Sequence, residues 1–351
     1  MPFTVQQLAD AAKVGLDFYM KNQPVDLVKV DRPFYKALMA RKREFPGAKQ
    51  YVTEQIRIGY QGNMQWYRGA GTVTYNTRST IEQAQFPWRS AHDGLTIDED
   101  RLAQNGITVT DDRMAKADGA ELIQLTNLMT EQSEVLDLGF DEKFSAYVHL
   151  DGSLSTDAIA GLDSLVTIGA DPTAAGTDVV GGLDRFTIPK WRNQKATAVA
   201  QASLLDTMEI QFRKASINGK PSAIFAGGAF VDAFRKAASD AGVIQRYTTV
   251  QAAGTKLDPS VTGLSFHGIE IQYCPEFDDN FGGMVSPTIP WTKRCYMLDM
   301  STIKLRPLAN QDKVSRKPPR PSNAYIVYMA LTWKGAMTIT NPQANAVVSI
   351  A

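Results

Sequence analysis

The sequence predicts an α+β fold, and three observations carry that prediction. The first is the stretch from Tyr51 to Trp88, which reads as a long two-stranded ribbon with no apolar mass for a core of its own. The second is the longest helical signal in the chain, Arg113 to Leu138, which follows the ribbon after a polar passage. The third is an alternation of strand and helix patterns over residues 150–295, with strand-rich sequence beyond it.

The composition bounds the rest. At 351 residues the chain has room for about two domains. A hydrophobic content of 44% is enough for a sizeable core. Lys plus Arg equals Asp plus Glu at 37 each, so the net charge is zero. A chain built to collect nucleic acid or anionic membrane would be strongly basic, and this one is not. Zero net charge also removes long-range repulsion between copies, which suits self-association. Cys274 and Cys295 form no disulfide framework and no metal-binding spacing, so an intracellular setting without cofactors is expected. No basic region followed by an apolar run opens the sequence, and no window approaches about 18 apolar residues. Neither a signal peptide nor a membrane partner is expected.

Taken in order, Thr4-Val-Gln-Gln7 is a capping box for a helix that Pro24 ends, with Val5, Leu8, Ala12 and Leu16 at helical spacing. A second short helix is predicted from Asp31, with Pro33 in its first turn and Phe34, Leu38 and Met39 as its stripe. Arg41, Lys42 and Arg43 suit its C-terminal dipole. Residues 1–50 thus read as an arm of short helices.

In the ribbon, Val52, Ile56, Ile58 and Tyr60 share one face of the outgoing strand, and Thr53, Gln55 and Arg57 the other. The return strand, Ser79 to Phe86, is mostly polar. Between them a tip holds Gly62, Gly69 and Gly71 with Trp66, Tyr67, Arg68, Tyr75 and Arg78. A lone two-stranded ribbon is marginal in water, so it needs a surface. That surface is either its own domain or another copy of the chain.

The polar passage 89–112 carries acids at Asp98, Glu99, Asp100, Asp111 and Asp112 without calcium-loop spacing. In the long helix Leu122, Leu125, Leu128, Met129, Val135 and Leu136 form the stripe, and Gly139 is the predicted stop. Residues 150–191 read as loops and short strands. A helix is predicted over Thr197–Ile217, a buried strand at Ala223–Phe225, a turn at Gly227-Gly228 and a helix over Ala229–Ala241. Strands are predicted at Gly263–His267, Ile269–Cys274, Cys295–Met300, Ile303–Leu308 and Ala324–Trp333, with one or two more over Ala336–Ile350. A stiff basic loop, with Lys313, Arg316, Lys317 and Arg320 among prolines, precedes Ala324. It suits either phosphates or acids on another subunit.

A search for catalytic chemistry yields no coherent site. His92, His149 and His267 sit in no metal-ligand or triad spacing, and Ser153 and Ser155 lack a nucleophile elbow. Phe225-Ala-Gly-Gly228 follows a strand and opens a helix, as a phosphate loop does, but lacks the lysine and the third glycine. A soluble enzyme using that turn stays the third reading, and no enzyme activity is expected.

The order of parts and several local motifs resemble the major capsid protein of tailed bacteriophages, the Hong-Kong-type capsid fold shared with herpesvirus shells. The motifs are Ala84-Gln-Phe-Pro-Trp-Arg-Ser-Ala-His-Asp-Gly94 with Ile97 to Gly106; Val180-Gly-Gly-Leu-Asp-Arg185 with Trp191-Arg-Asn193; Ala223 to Arg235; and Ala330 to Gly335 with Thr340 to Ala346. They span nearly the whole chain. The resemblance implies an N-terminal arm at 1–50 and an extended loop (E-loop) at 51–92 lying over an adjacent subunit. It implies a P-domain at 93–149 and 296–335, with its spine helix at 113–138 and its P-loop at 308–322. An α/β A-domain at 150–295 and 336–351 completes the set. It further implies a virion shell of hexamers and pentamers around non-specifically held double-stranded DNA, assembled in the bacterial cytoplasm. The implied partners are further copies of the chain, a separate scaffolding protein, a portal protein and, in some members, a decoration protein. The intersubunit contacts are expected at Trp66, Tyr67, Arg68, Arg78, Lys313, Arg316, Lys317 and Arg320. Residues 51–92 contain no lysine, so the isopeptide lock of some members is absent and a non-covalent shell is expected. An encapsulin-like compartment around a cargo enzyme is the alternative.

Overall fold

The computed structural model describes residues 30–47, 49–98, 100, 119–240, 264–284, 287–316 and 326–351. The chain divides into Met1–Asp31 and Arg32–Ala351. The helix expected from Thr4 lies outside the described residues, as do most of the acidic passage and the start of the long helix. In the second unit the principal elements are α1 (Pro33–Met39), β1 (Tyr51–Arg57), β2 (Ile81–Pro87), β3 (Arg89–Asp98), α2 (Gly119–His149), β4 (Gln194–Val199) and α3 (Leu204–Ala215). They continue with β5 (Ala223–Ala226), α4 (Gly228–Asp240), β6 (Ser265–Phe266), β7 (Ile269–Tyr273), β8 (Arg294–Leu298), β9 (Ile303–Pro307), β10 (Val314–Arg316), β11 (Ile326–Ile339) and β12 (Ala346–Ile350).

The α/β part is a six-stranded sheet in the order β4-β12-β8-β5-β7-β6. The β4–β12 and β5–β7 pairs are parallel, the others antiparallel. Side chains alternate between its faces, as a pleated strand requires. Ile224, Ala226, Met297 and Val348 pack with Met208 and Phe212 of α3 and Phe230 and Phe234 of α4. Phe225, Tyr296, Leu298 and Val347 belong to the other core, with Trp191, Phe277 and Trp291. Because both faces are covered, β8 is buried at all of its positions.

A second sheet is built on β11. Strand β3 pairs along one edge, from Ile326↔Asp98 to Gly335↔Arg89, and β9 and β10 share the other. The sequence splits this region at Gly335, but the strand runs on to Ile339. A Cβ there would come within 2.5 Å of the Arg306 carbonyl and 2.6 Å of the Trp333 ring, so glycine is what lets the tryptophan fold over the strand.

Helix α2 also departs from expectation. It is 31 residues long, about 45 Å at ~1.5 Å per residue, and passes straight through Gly139. Leu136, Phe140, Phe144 and Val148, four residues apart, form the buried stripe. The rings of Phe140 and Phe144 stack at 5.5 Å, and Phe144 meets Trp333 at 4.6 Å. That packing outweighs the ~1 kcal/mol cost of a mid-helix glycine. Val135, placed in the stripe by sequence, is exposed. The helix predicted over Thr197–Ile217 is likewise shorter, because Gln194–Val199 pairs in parallel with the last strand of the chain. Local periodicity cannot report a partner about 150 residues away.

Helix α1 matches its prediction, with Phe34, Tyr35 and Leu38 buried. The segment after it is laid along β9, through Arg43 N to the Leu305 carbonyl at 2.9 Å and Phe45 N to the Pro307 carbonyl at 3.0 Å. No helix of the described residues is long and apolar enough to cross a membrane.

Candidate intersubunit interface

The ribbon divides into a seated base and a free tip. Strands β1 and β2 pair from Tyr51↔Pro87 to Arg57↔Ile81, shorter at the tip end than the pattern suggested. Val52, Ala84 and Phe86 are buried in the chain's own core, so the base rests on its own subunit. Among the described residues, the part without support is the tip.

The base is held by a bracket built from Val180–Arg185 and Trp191–Asn193. Gly181, at φ +61°, lies so close beneath the ribbon that a Cβ would come within 2.9 Å of the Phe86 ring. Its carbonyl accepts from Gln85 N at 2.7 Å. Behind it, Trp191 Nε1 donates to the Val180 carbonyl at 2.9 Å, and Asn193 Nδ2 to the Thr167 carbonyl at 2.9 Å. The buried guanidinium of Arg185 donates to Asp178 at 3.2 Å and to the carbonyls of Ser164 and Leu165 at 3.1 and 2.7 Å. Burial lowers the Arg185 pKa, and Asp178 opposes that shift. Glu54 on β1 pairs with Arg306 on β9. The Gly-Gly, Asp-Arg and Trp-Arg-Asn stretch is therefore the clamp under the ribbon.

Beyond a last backbone bond, Ile58 N to the Thr80 carbonyl at 3.0 Å, the two legs are joined by side chains rather than by a ladder. Gln61 donates to the Ser79 carbonyl at 2.8 Å and accepts from Ser79 N at 3.1 Å. Gln65 accepts from Thr74 N at 3.1 Å and donates to its hydroxyl at 2.5 Å. Asn63 Nδ2 donates to the Thr74 carbonyl at 2.7 Å. Such amide bridges fix the legs while leaving the large side chains outside. Trp66 is 92% exposed and Tyr75 94%, and Tyr60, Met64 and Tyr67 are exposed with them. Arg68 and Arg78 are exposed on the same tip. An apolar cluster of this size held out in solvent marks an interaction surface.

The basic loop is placed only in part. Lys313 is turned back onto α2, where it pairs with Asp137 at 3.2 Å and Asp141 at 2.6 Å. Asp141 also accepts from the Tyr35 hydroxyl at 2.5 Å, which ties α1, α2 and the loop together. Arg316 donates to Thr332 and to Gln311, each at 2.8 Å. Lys317 and Arg320 lie outside the described residues.

The Gly227-Gly228 turn is closed from within the chain. Gly227 and Gly228 are required by close packing: a Cβ on Gly227 would lie 2.5 Å from the Thr292 carbonyl. Gly228 N already donates to Asp278 Oδ1 at 2.8 Å, and Tyr273 holds the other oxygen at 2.7 Å. The amide end of α4 thus has its anion built in. No metal-binding group of His, Cys, Asp or Glu occurs among the described residues. His267 stacks on Phe212 and pairs with Glu209 at 2.5 Å, and His149 is buried.

No protein-family model matches the sequence, and no curated protein matches it. Solved structures do. The capsid asymmetric unit of Cyanophage A-1(L) superposes with a TM-score of 0.61 at 13% identity, over 94% of this chain and 95% of that one. The chain has the Hong-Kong-type phage capsid fold. Two further capsid-fold structures agree. The capsid of a native GTA particle gives a TM-score of 0.54 at 10% identity over 98% of both chains. The capsid of Myoviridae phage XM1 gives 0.53 at 11% over 95% and 96%. At such identities what is shared is the fold, and individual contacts are this chain's own.

Proposed function

We propose that the chain is a major capsid protein, assembling with copies of itself into an icosahedral shell of hexamers and pentamers around double-stranded DNA. The observation that carries this reading is the ribbon. It is clamped to its own subunit at the base, stiffened by amide bridges above, and presents bare aromatic side chains at the tip, in a chain whose whole length has the capsid fold. The three compared structures are capsids, which favours a genome shell over a cargo compartment.

In this reading residues 1–50 are the arm, 51–92 the extended loop, 93–149 with 296–335 the P-domain, and 150–295 with 336–351 the A-domain. Trp66, Tyr67, Arg68 and Arg78 meet a neighbouring copy. Arg316, Lys317 and Arg320 meet others where capsomers join, and Lys313 steadies that loop from within. The ribbon has no lysine, so these contacts are non-covalent, many and modest, summed by closed symmetry. A separate scaffolding protein, a portal and a decoration protein are the partners such a shell would use, with assembly in the bacterial cytoplasm. The test is electron microscopy of the purified chain and of a variant lacking Gly62 to Arg78. The full chain should form closed particles, and the variant should stay folded and unassembled. Closed particles from the shortened chain would refute this role for the ribbon.

A further inference from the structure

We propose that Asn218-Gly219, just past the end of α3, is a site of self-modification, at which the Gly219 amide nitrogen attacks the Asn218 side chain and the asparagine becomes aspartate or isoaspartate. Asn218 is exposed. Among the described residues, neither its side-chain amide nor the Gly219 N–H has a hydrogen-bond partner. Most backbone N–H groups are paired, and a paired one gives up its proton far less readily. The Asn218 carbonyl belongs to the same peptide unit as the attacking nitrogen, and it accepts from Asn341 Nδ2 at 2.6 Å. When that nitrogen loses its proton, resonance spreads the charge onto this oxygen, where a donor already stands. Asn341 is held in turn, since its own carbonyl accepts from Asn345 Nδ2 at 2.9 Å. Packing also keeps residue 219 a glycine: a Cβ there would lie 2.5 Å from that of Ala344. The contact that seats the end of α3 therefore retains the one residue that leaves the neighbouring carboxamide open to attack.

The chemistry needs only water. Hydroxide takes the Gly219 amide proton, the nitrogen bonds to Asn218 Cγ, the Cγ–Nδ2 bond breaks, and ammonia leaves with a proton from water. The cyclic imide then takes up one water. Opening at Cγ gives aspartate, and opening at the backbone carbonyl gives isoaspartate. Asn341 polarises the backbone carbonyl, so isoaspartate is the larger product. Isoaspartate routes the main chain through Cβ, which adds one atom to the backbone ahead of Gly219. That atom must fit where Gly219 is packed on Ala344. The new carboxylate forms next to a peptide that already has Asp299 Oδ2 against it, 3.2 Å from where a Gly219 Cβ would stand. Both changes loosen the end of α3 from the Pro342–Ala344 turn.

Peptide mass spectrometry of the folded chain, held in mildly alkaline buffer, reads the conversion as the mass gain of an amide becoming an acid. Labelling by an isoaspartyl methyltransferase reads which way the imide opened. Asn218 should convert in the folded chain at least as fast as in the urea-unfolded chain, where Asn105-Gly106 gives a second reference rate. Asn341→Ala should slow the folded rate about two- to tenfold and leave the unfolded rate unchanged. Should that variant not fold, the ratio of folded to unfolded rates in the native chain decides. Converted chains, separated by charge, should unfold at a lower urea midpoint than fresh ones, and equal midpoints would overturn the loosening of α3. An Asn218 that stays intact in the folded chain while converting in urea overturns the site itself, as does a folded rate that Asn341→Ala leaves unchanged. Either result leaves the shell reading standing.

Discussion

His149 ends α2 inside a cage of rings, with Phe34 at 4.7 Å, Phe281 at 4.9 Å and Phe277 at 5.5 Å. Its Nδ1 lies 2.7 Å from the Ser145 carbonyl, an oxygen that can only accept, so the proton sits on Nδ1 and Nε2 is bare. Nε2 has no partner among the described residues. Burial alone pulls the pKa from 6.5 down to about 4, against the opposing effect of that hydrogen bond. The unfolded chain therefore binds a proton between those values that the folded chain refuses, and the contribution of His149 is complete above pH 6.5 and lost as pH falls toward 4. The loss is roughly 3 kcal/mol. Glu276, joined to the same turn by Ser145 Oγ at 3.1 Å, has its pKa raised by burial and responds in the opposite sense. The comparison must therefore be with a His149→Phe variant, which keeps a ring in the cage. Urea midpoints measured from pH 7 to pH 4 should fall more steeply for the native chain than for the variant. Parallel profiles would show that His149 does not titrate in this way.

At the scale of elements, the clamp under the ribbon gives a controlled comparison. Gly181 and Gly182 both have positive φ, at +61° and +76°, so any side chain strains either one. Only Gly181 faces the Phe86 ring; a Cβ on Gly182 meets nothing within 4 Å. Gly181→Ala should thus cost about 1–2 kcal/mol more than Gly182→Ala in denaturant unfolding, the excess being the steric term alone. Equal losses would mean that the ribbon base is not seated on this turn. The same elements show what sequence can and cannot carry. The α1 stripe and the Ala223–Ala226 strand were legible because Phe34, Leu38 and Phe225 serve local patterns. Strand β4 and the run of β11 through Gly335 were not, since a distant strand and a tryptophan fold decide them. The tip was visible as aromatic residues among glycines. Its stiffness was not, because Gln61–Ser79 and Gln65–Thr74 bridges span the loop without a period.

At the scale of the whole molecule, under the proposed shell reading, the charge balance separates building a shell from filling it. Collecting DNA from solution needs several phosphates neutralised at once, with a steep salt dependence as its signature. The chain has 37 positive and 37 negative side chains, and its densest basic loop is partly satisfied from within, Lys313 by Asp137 and Asp141. Apolar tip contacts and strand edges, by contrast, need no counter-ion and are little screened by salt. Assembly should therefore proceed without nucleic acid, and the genome should enter by a separate driving force rather than by attraction to free subunits. Sedimentation of the purified, nuclease-treated chain should show closed empty particles. Linear double-stranded DNA mixed with unassembled subunits at about 150 mM salt should sediment alone. Co-sedimentation that weakens over several decades with added salt would show that the subunits gather DNA themselves, and the division between building and filling would fail.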